Sequence, residues 1–196
     1  INLPSSLVTI GDSCFSGCFS IEAIKIPEKV SKLENFTFKD CTNLQTIEFS
    51  GSISSIGDYC FHNCSCLINI ENLISVQSIG KKCFTKCISL KQIKIPDSIK
   101  SIGIGAFSKC KSLESFTFPS SLSIICEKMF FKCSLLTEVI IPSSVKSIKK
   151  EAFAFCLNLK KIDISKIISI HDYAFTGCSS LFQIGENTNI MELKRY

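Results

Sequence analysis

Phenylalanine followed three residues later by cysteine recurs along this chain with a fixed period. The pairs are Phe15/Cys18, Phe38/Cys41, Phe61/Cys64, Phe84/Cys87, Phe107/Cys110, Phe130/Cys133, Phe153/Cys156 and Phe175/Cys178. Successive pairs lie 23 residues apart, except the last, which lies 22 apart. A unit this short cannot bury an apolar face by itself, so the period forces the units to stack into one continuous core.

Other columns keep the same register. An aliphatic residue follows each Cys by three positions: Ile21, Leu44, Leu67, Leu90, Leu113, Leu136, Leu159 and Leu181. All five prolines share one column, and Gly11, Gly57, Gly80 and Gly103 share another. Eight units span residues 1–186 with no linker between them, and residues 187–196, "NTNIMELKRY", leave the pattern as a tail or the start of a cap. Within a unit, "LKQIKIP" (90–96) alternates apolar and polar residues as a short strand does. Proline then ends the strand, because it lacks the next ladder donor. "SIKSIG" is a second short extended stretch with Gly at a tight bend, and "GAFSKCKSL" suits a short helical or 3₁₀ return. Parallel strands of neighbouring units spaced ~4.8 Å apart would give an array roughly 38 Å long.

The repeat also disposes of what looks like a metal site. "DYCFHNCSC" (58–66) packs Cys60, His62, Cys64 and Cys66 into seven residues. Cys64 belongs to the Cys column, and Cys60 belongs to a small-residue column with Cys14, Cys83, Ala106, Ala152 and Ala174. Both are dictated by packing. His62 and Cys66 alone remain, and structural zinc needs three or four converging ligands. No metal and no cofactor is therefore expected. Buried Cys acts as a small hydrophobe with a weak S–H donor. All eight members of the column, Cys18 to Cys178, therefore read as inward-facing structural filler that bonds a turn carbonyl. With 13 cysteines an odd one is left over, and the redox compartment stays open. A nucleophilic Cys needs a base beside it, and His62 and His171 fall in no catalytic pattern. No catalytic residue is expected. The longest apolar runs are too short to span a bilayer. The chain opens mid-pattern at "INLPSS" and reads as a piece of something longer.

"IPDSIKSIGIGAFSKCKSLESFTFP" (95–119) and "IPSSVKSIKKEAFAFCLNLKKIDI" (141–164) resemble the BspA-like, or Treponema-type, leucine-rich repeat. The resemblance covers residues 1–186 and implies an α/β repeat solenoid. This would be a right-handed superhelix of about eight 23-residue coils, with a parallel β-sheet on the concave side. It further implies binding instead of catalysis, within a larger cell-surface or secreted protein that adheres to host or microbial partners. An intracellular, cytoplasmic scaffold or regulatory domain of the same fold is the alternative. Departures are local: Glu34 replaces Gly, Cys126 takes the Gly position of its unit, and Asn72 ends a strand that lacks its prolines.

Side chains on the exposed sheet face are free to vary, and two columns fall there. One is Ala23, Thr46, Asn69, Gln92, Ser115, Glu138, Lys161 and Gln183; the other is Lys25, Glu48, Glu71, Lys94, Thr117, Ile140, Asp163 and Gly185. Their mixed chemistry suits a protein partner, such as a host matrix or cell-surface protein. Charge is uneven along the array. Residues 1–75 hold four lysines against eight acids, and residues 76–170 hold sixteen against six. Lys86, Lys109 and Lys132 share the column before Cys and should form a basic stripe, a candidate strip for an acidic glycan. Nucleic acid is a poorer fit, because Arg is scarce and no aromatic is interleaved with the stripe. The expected state is a monomer.

Overall fold

The computed structural model describes residues 1–184 and shows a parallel β-solenoid built on the 23-residue period. Each coil contributes to two ribbons of short strands. The first ribbon contains β1 (Ala23–Ile26), β3 (Thr46–Phe49), β7 (Ser115–Thr117), β9 (Glu138–Ile140), β11 (Lys161–Ile162) and β13 (Gln183–Ile184). The second contains β2 (Lys32–Leu33), β4 (Ser55–Ile56), β5 (Ser78–Ile79), β6 (Ser101–Ile102), β8 (Ile124–Ile125), β10 (Ser147–Ile148) and β12 (Ser169–Ile170). Every pairing is parallel and joins equivalent residues of adjacent coils, such as Ile24 with Ile47 and Ile56 with Ile79. Inward and outward residues alternate along the strands, as the pleat requires: in β1, Ala23 and Lys25 are exposed while Ile24 and Ile26 are buried.

The Phe column forms the spine of the core. Eight rings from Phe15 to Phe175 stack in seven successive pairs, with centroids 5.3–5.8 Å apart and planes within 12° of parallel. The six rings from Phe38 to Phe153 are completely buried. Beside them runs the thiol column. Cys41 Sγ donates to the Phe15 carbonyl at 3.0 Å, Cys64 to Phe38 at 3.1 Å, and the pattern continues to Cys178 and Phe153 at 3.1 Å. The acceptor is the Phe carbonyl of the preceding coil.

From Cys41 to Cys178 the column thiols are buried or half-buried and each donates to a carbonyl of the preceding coil. Cys18 is only half-buried, and among the described residues its thiol donates to no carbonyl. Each bonded thiol reaches back 25 or 26 residues to its acceptor, and no described residue stands at that distance before Cys18. Cys18 packs against the edge of the core instead of filling its interior, with Phe15 beside it in the same half-buried state. At the far end Cys178 is also half-buried, but it keeps its carbonyl because a coil lies behind it. All thirteen thiols are free.

The return segment differs from the helical or 3₁₀ turn expected of it. Among the described residues there is no helix. The i→i−3 bonds are present, as in His62 N to Tyr59 O and Cys64 N to Phe61 O. Two residues per coil adopt left-handed φ, however, for example Tyr59 (φ 55°) and Asn63 (φ 61°), and break the run. Alternate N–H groups then point along the axis: those of Tyr59, Phe61 and Asn63 donate to the carbonyls of Lys81, Cys83 and Thr85. The same three bonds recur from coil to coil and form a hydrogen-bonded seam apart from the ribbons.

The glycine column also works differently from expectation. Gly57, Gly80 and Gly103 are not needed for a positive φ. A Cβ on Gly80 would lie 2.5 Å from the backbone N of Asp58, and one on Gly103 would lie 2.4 Å from that of Lys81. Glycine is there to let adjacent coils approach. Its N–H donates to the coil before, as Gly103 N does to Ile79 O at 2.8 Å. In the next coil Cys126 holds this position, and its thiol donates to the Ile102 carbonyl at 3.0 Å. The second ribbon divides at this point, between β6 and β8.

Candidate binding surface

The two outer columns of the first ribbon face solvent. Lys25, Glu48, Glu71, Gln92, Lys94, Ser115, Thr117, Glu138, Ile140, Lys161 and Asp163 are exposed, and Asn69 is half-buried. Gly185 lies outside the described residues, as do 187–196. Strand register sets who meets whom: Lys25 sits opposite Glu48, Ser115 opposite Glu138, and Thr117 opposite Ile140. The Lys25 ammonium donates to Glu48 Oε1 at 2.6 Å. The Ser165 N–H donates to Asp163 Oδ1 at 2.8 Å and holds that carboxyl below its ordinary value.

The ribbon is interrupted in its middle. Residues 69–72 and 92–95 occupy the places of strands but form no ladder. They are pinned on either side: Ile68 N bonds Gln45 O and Lys91 N bonds Ile68 O before the gap, and Lys100 N bonds Gln77 O after it. Across the gap lies a cleft of about 650 Å³ lined by Asn69, Glu71, Gln92, Lys94, Ser115 and Thr117, with Asp97 and Pro119 at one end. It gathers six of the residues that the sequence put on the exposed face. Asp97 and Pro119 were not foreseen, since they lie in the loop beyond the strand column. Asn69 Nδ2 donates to Glu71 Oε1 at 3.3 Å. Among the described residues, neither Glu71, Lys94 nor Asp97 has an ion-pair partner.

The three lysines of the expected stripe occupy one column. Lys86, Lys109 and Lys132 all adopt left-handed φ, 66°, 62° and 62°, beside the hydrogen-bonded seam. Aromatics do enter it, contrary to expectation. Lys132 Nζ lies 5.2 Å from the Phe131 ring and 5.4 Å from the Phe155 ring, because Phe155 holds the same column one coil on. Gly177 follows Phe155 in that column, and the Phe155 ring fills the space where its Cβ would stand. Lys109 is half-buried.

Cys60 and Cys64 are fully buried, and burial pushes both thiols up from their ordinary value. His62 points elsewhere, against Tyr59, and burial lowers its pKa. Among the described residues no three His, Cys, Asp or Glu side chains could hold a metal ion, and no helix is long and apolar enough to cross a membrane.

The BspA type leucine rich repeat region matches residues 1–114 and 54–182 in six copies, fewer than the eight units written from the sequence. The chain belongs to this family. Among solved structures, the solenoid resembles a T. pallidum leucine rich repeat protein with a TM-score of 0.77 and 26% identity, covering 89% of this chain and 83% of that one. A leucine rich cell surface protein of Faecalibacterium prausnitzii A2-165 follows at 0.72 and 28% identity, over 83% and 47% of the two chains. A leucine-rich repeat protein of Bacteroides ovatus ATCC 8483 superposes at 0.66 and 27% identity, over 91% and 58%. No curated protein matches.

Proposed function

We propose that the array is a non-catalytic protein-binding module of a cell-surface or secreted protein. Its partner, a host or microbial surface protein, docks on the outer face of the first ribbon. The observation that carries this is the contrast between columns. Inner positions repeat Ile, Leu, Phe and Cys coil after coil, whereas the outer positions run Lys25, Glu48, Glu71, Lys94, Thr117, Ile140, Asp163 with no repeated chemistry. Packing does not constrain these side chains, so they are free to read a partner. The cell-surface description of the F. prausnitzii neighbour supports the location; an intracellular scaffold of the same fold is the competing reading. Adhesion and a monomeric state belong to the same proposal.

The test is binding of the immobilised array to a purified extracellular-matrix preparation, read by interferometry. Combined charge reversal at Glu48, Lys94, Glu138 and Lys161 should weaken it at least tenfold. Binding that survives all four reversals would move the site off this face. An acidic glycan on the lysine column is a second reading, favoured by the alignment of Lys86, Lys109 and Lys132 in one backbone conformation. Replacing all three by Asn, which already holds the column at Asn63, should lower the salt needed to elute the array from heparin. An unchanged elution would remove this reading.

A further inference from the structure

Coils 4 to 7 carry an outward strip that the first ribbon does not use. Each column Cys there is buried, and the residues on either side of it face out. Coil 4 presents Lys86 and Ile88, coil 5 Lys109 and Lys111, coil 6 Lys132, and coil 7 Phe155 and Leu157; all are exposed except Lys109, which is half-buried. Leu135 joins them, because its N–H bonds the Lys111 carbonyl at 3.2 Å. Ile88, Leu135, Phe155 and Leu157 are 39–46% exposed. Lys86, Lys109, Lys111 and Lys132 have no ion-pair partner among the described residues, and no acid stands in these columns from coil 4 to coil 7. The strip has ends. In coils 2 and 3 the same columns hold Asp40, Thr42, Asn63 and Ser65, with Asn63 Nδ2 bonded to Asp40 Oδ1, and in coil 8 they hold Gly177 and Ser179.

We propose that this strip docks the array on an anionic lipid surface. The lysines meet the phosphates of the headgroups, and the four apolar side chains enter the layer just beneath them. Lysine suits this arrangement, since its stem lies along apolar groups while its ammonium stays at the polar level. Lys132 is already placed so, with Nζ 5.2 Å from the Phe131 ring and 5.4 Å from the Phe155 ring. Charge selects an anionic partner, and the apolar set selects one with a hydrocarbon phase. A soluble acidic glycan takes up the charge but leaves Ile88, Leu135, Phe155 and Leu157 in water. A protein partner needs more area: four coils at ~4.8 Å make a strip roughly 19 Å long and a few residues wide, well short of the ~800 Å² per partner of a standard protein interface. Lipid docking needs only a few inserted side chains together with a basic patch. The proposal goes beyond the protein-binding reading and uses none of its residues; it shares three lysines with the glycan reading.

The test is co-sedimentation of the intact chain with sucrose-loaded phosphatidylcholine vesicles, with and without about 30% phosphatidylserine. The chain should pellet with the anionic vesicles and not with the neutral ones. The anionic vesicles should also shield Lys86, Lys109, Lys111 and Lys132 from acetylation, while Lys161 reacts as before. Phe155→Asn with Leu157→Ser installs residues already found in these columns, at Asn63 and Ser134, and keeps the net charge. It should weaken vesicle binding at least tenfold and leave heparin elution unchanged. Lys109→Asn with Lys132→Asn should weaken both, by about fivefold per lysine on vesicles. Denaturant midpoints identify any variant that unfolds, and Leu135→Ser, at an exposed position, repeats the apolar test with a smaller loss. Vesicle binding indifferent to the apolar changes, or shielding of other lysines, overturns the inference and leaves the column to the glycan. Failure to bind anionic vesicles overturns it outright, whatever the array does on heparin or on the matrix preparation.

Discussion

Coils 1 and 2 and coils 3 and 4 are built on one template, yet their outer ribbons end differently. In the first pair, β1 and β3 zip together over four residues, and the Lys25–Glu48 pair closes over them. In the second pair the equivalent residues run past each other unbonded, with Glu71 and Lys94 in the same column but not bridged. Both pairs keep the Phe stack: Phe15 to Phe38 is 5.3 Å and Phe61 to Phe84 is 5.4 Å. Both keep the thiol bond, from Cys41 to Phe15 O and from Cys87 to Phe61 O, and both keep the turn seam. The buried columns therefore hold the coils in register, and the outer ribbon can open without undoing the stack. What distinguishes the open pair is Asn72. It stands where β3 has Phe49, and its φ of 61° takes the chain out of the extended line.

The largest effect should come from attacking what both regions share. Burial raises the thiol column; Cys41 and Cys178 are pushed up from 9.0 to about 11, and Cys87, Cys133 and Cys156 are raised as well. Their neutral form is favoured by folding, so their contribution is complete below pH 9 and falls as pH rises toward and through 11. A fully buried thiol such as Cys87 loses up to about 1.4 kcal/mol per pH unit over that window. The denaturant midpoint should be flat from about pH 7 to 8.5 and drop steeply above 9. A midpoint that holds to about pH 11 would mean that the sulfurs are not buried as described. Next comes Phe84→Ala, which removes a fully buried ring stacked on both sides and should cost about 3–5 kcal/mol by chemical denaturation. A loss below about 1 kcal/mol would show that the open coils do not depend on the spine. Gly80→Ala follows at about 1–3 kcal/mol, because its Cβ would meet Asp58 backbone, whereas Gly11→Ala meets nothing within 4 Å and should be close to neutral. Equal effects at the two glycines would refute the close-approach role.

The stack was legible because each of its columns repeats. Phe84, Cys87 and Leu90 recur every 23 residues, and only inward packing asks for that. The exposed columns were legible by elimination, from strand alternation. Several details were not. A column assigns one environment to all its members, yet Cys18 is half-buried and, among the described residues, donates to no carbonyl, whereas Cys41 is buried and does. "GAFSKCKSL" fits a 3₁₀ return, but Lys86 and Lys109 accept left-handed φ that a propensity reading denies them, because three seam hydrogen bonds per coil hold them there. The role of Gly80 was misplaced, since a sequence shows the residue but not the backbone one coil away. The cleft depended on how two coils fail to pair. Asn72 marked coil 3 as irregular, but "LKQIKIP" in coil 4 is a regular strand sequence that stays unpaired on both sides, against coil 3 and against β7. A ladder needs two partners, and pattern describes only one.

If Asn72 opens the ribbon, Asn72→Ile should close it, because a β-branched residue disfavours φ near +60° and pushes position 72 back to the extended region. Amides of 69–72 and 92–95 should then exchange about tenfold more slowly, with global stability changed by less than about 1 kcal/mol. Unaltered exchange would place the cause of the opening outside coil 3. The smallest expected effect tests the closed side. Lys25 and Glu48 are both more than half exposed, at 62% and 57%. Breaking the pair with Lys25→Ala should cost at most about 0.5 kcal/mol and nothing at high salt. The β1–β3 amides should stay as slow as before, since backbone pairing, not the ion pair, closes those coils. Faster exchange in Lys25→Ala would instead make the salt bridge the latch, and would predict that an ion pair engineered across the cleft shuts it.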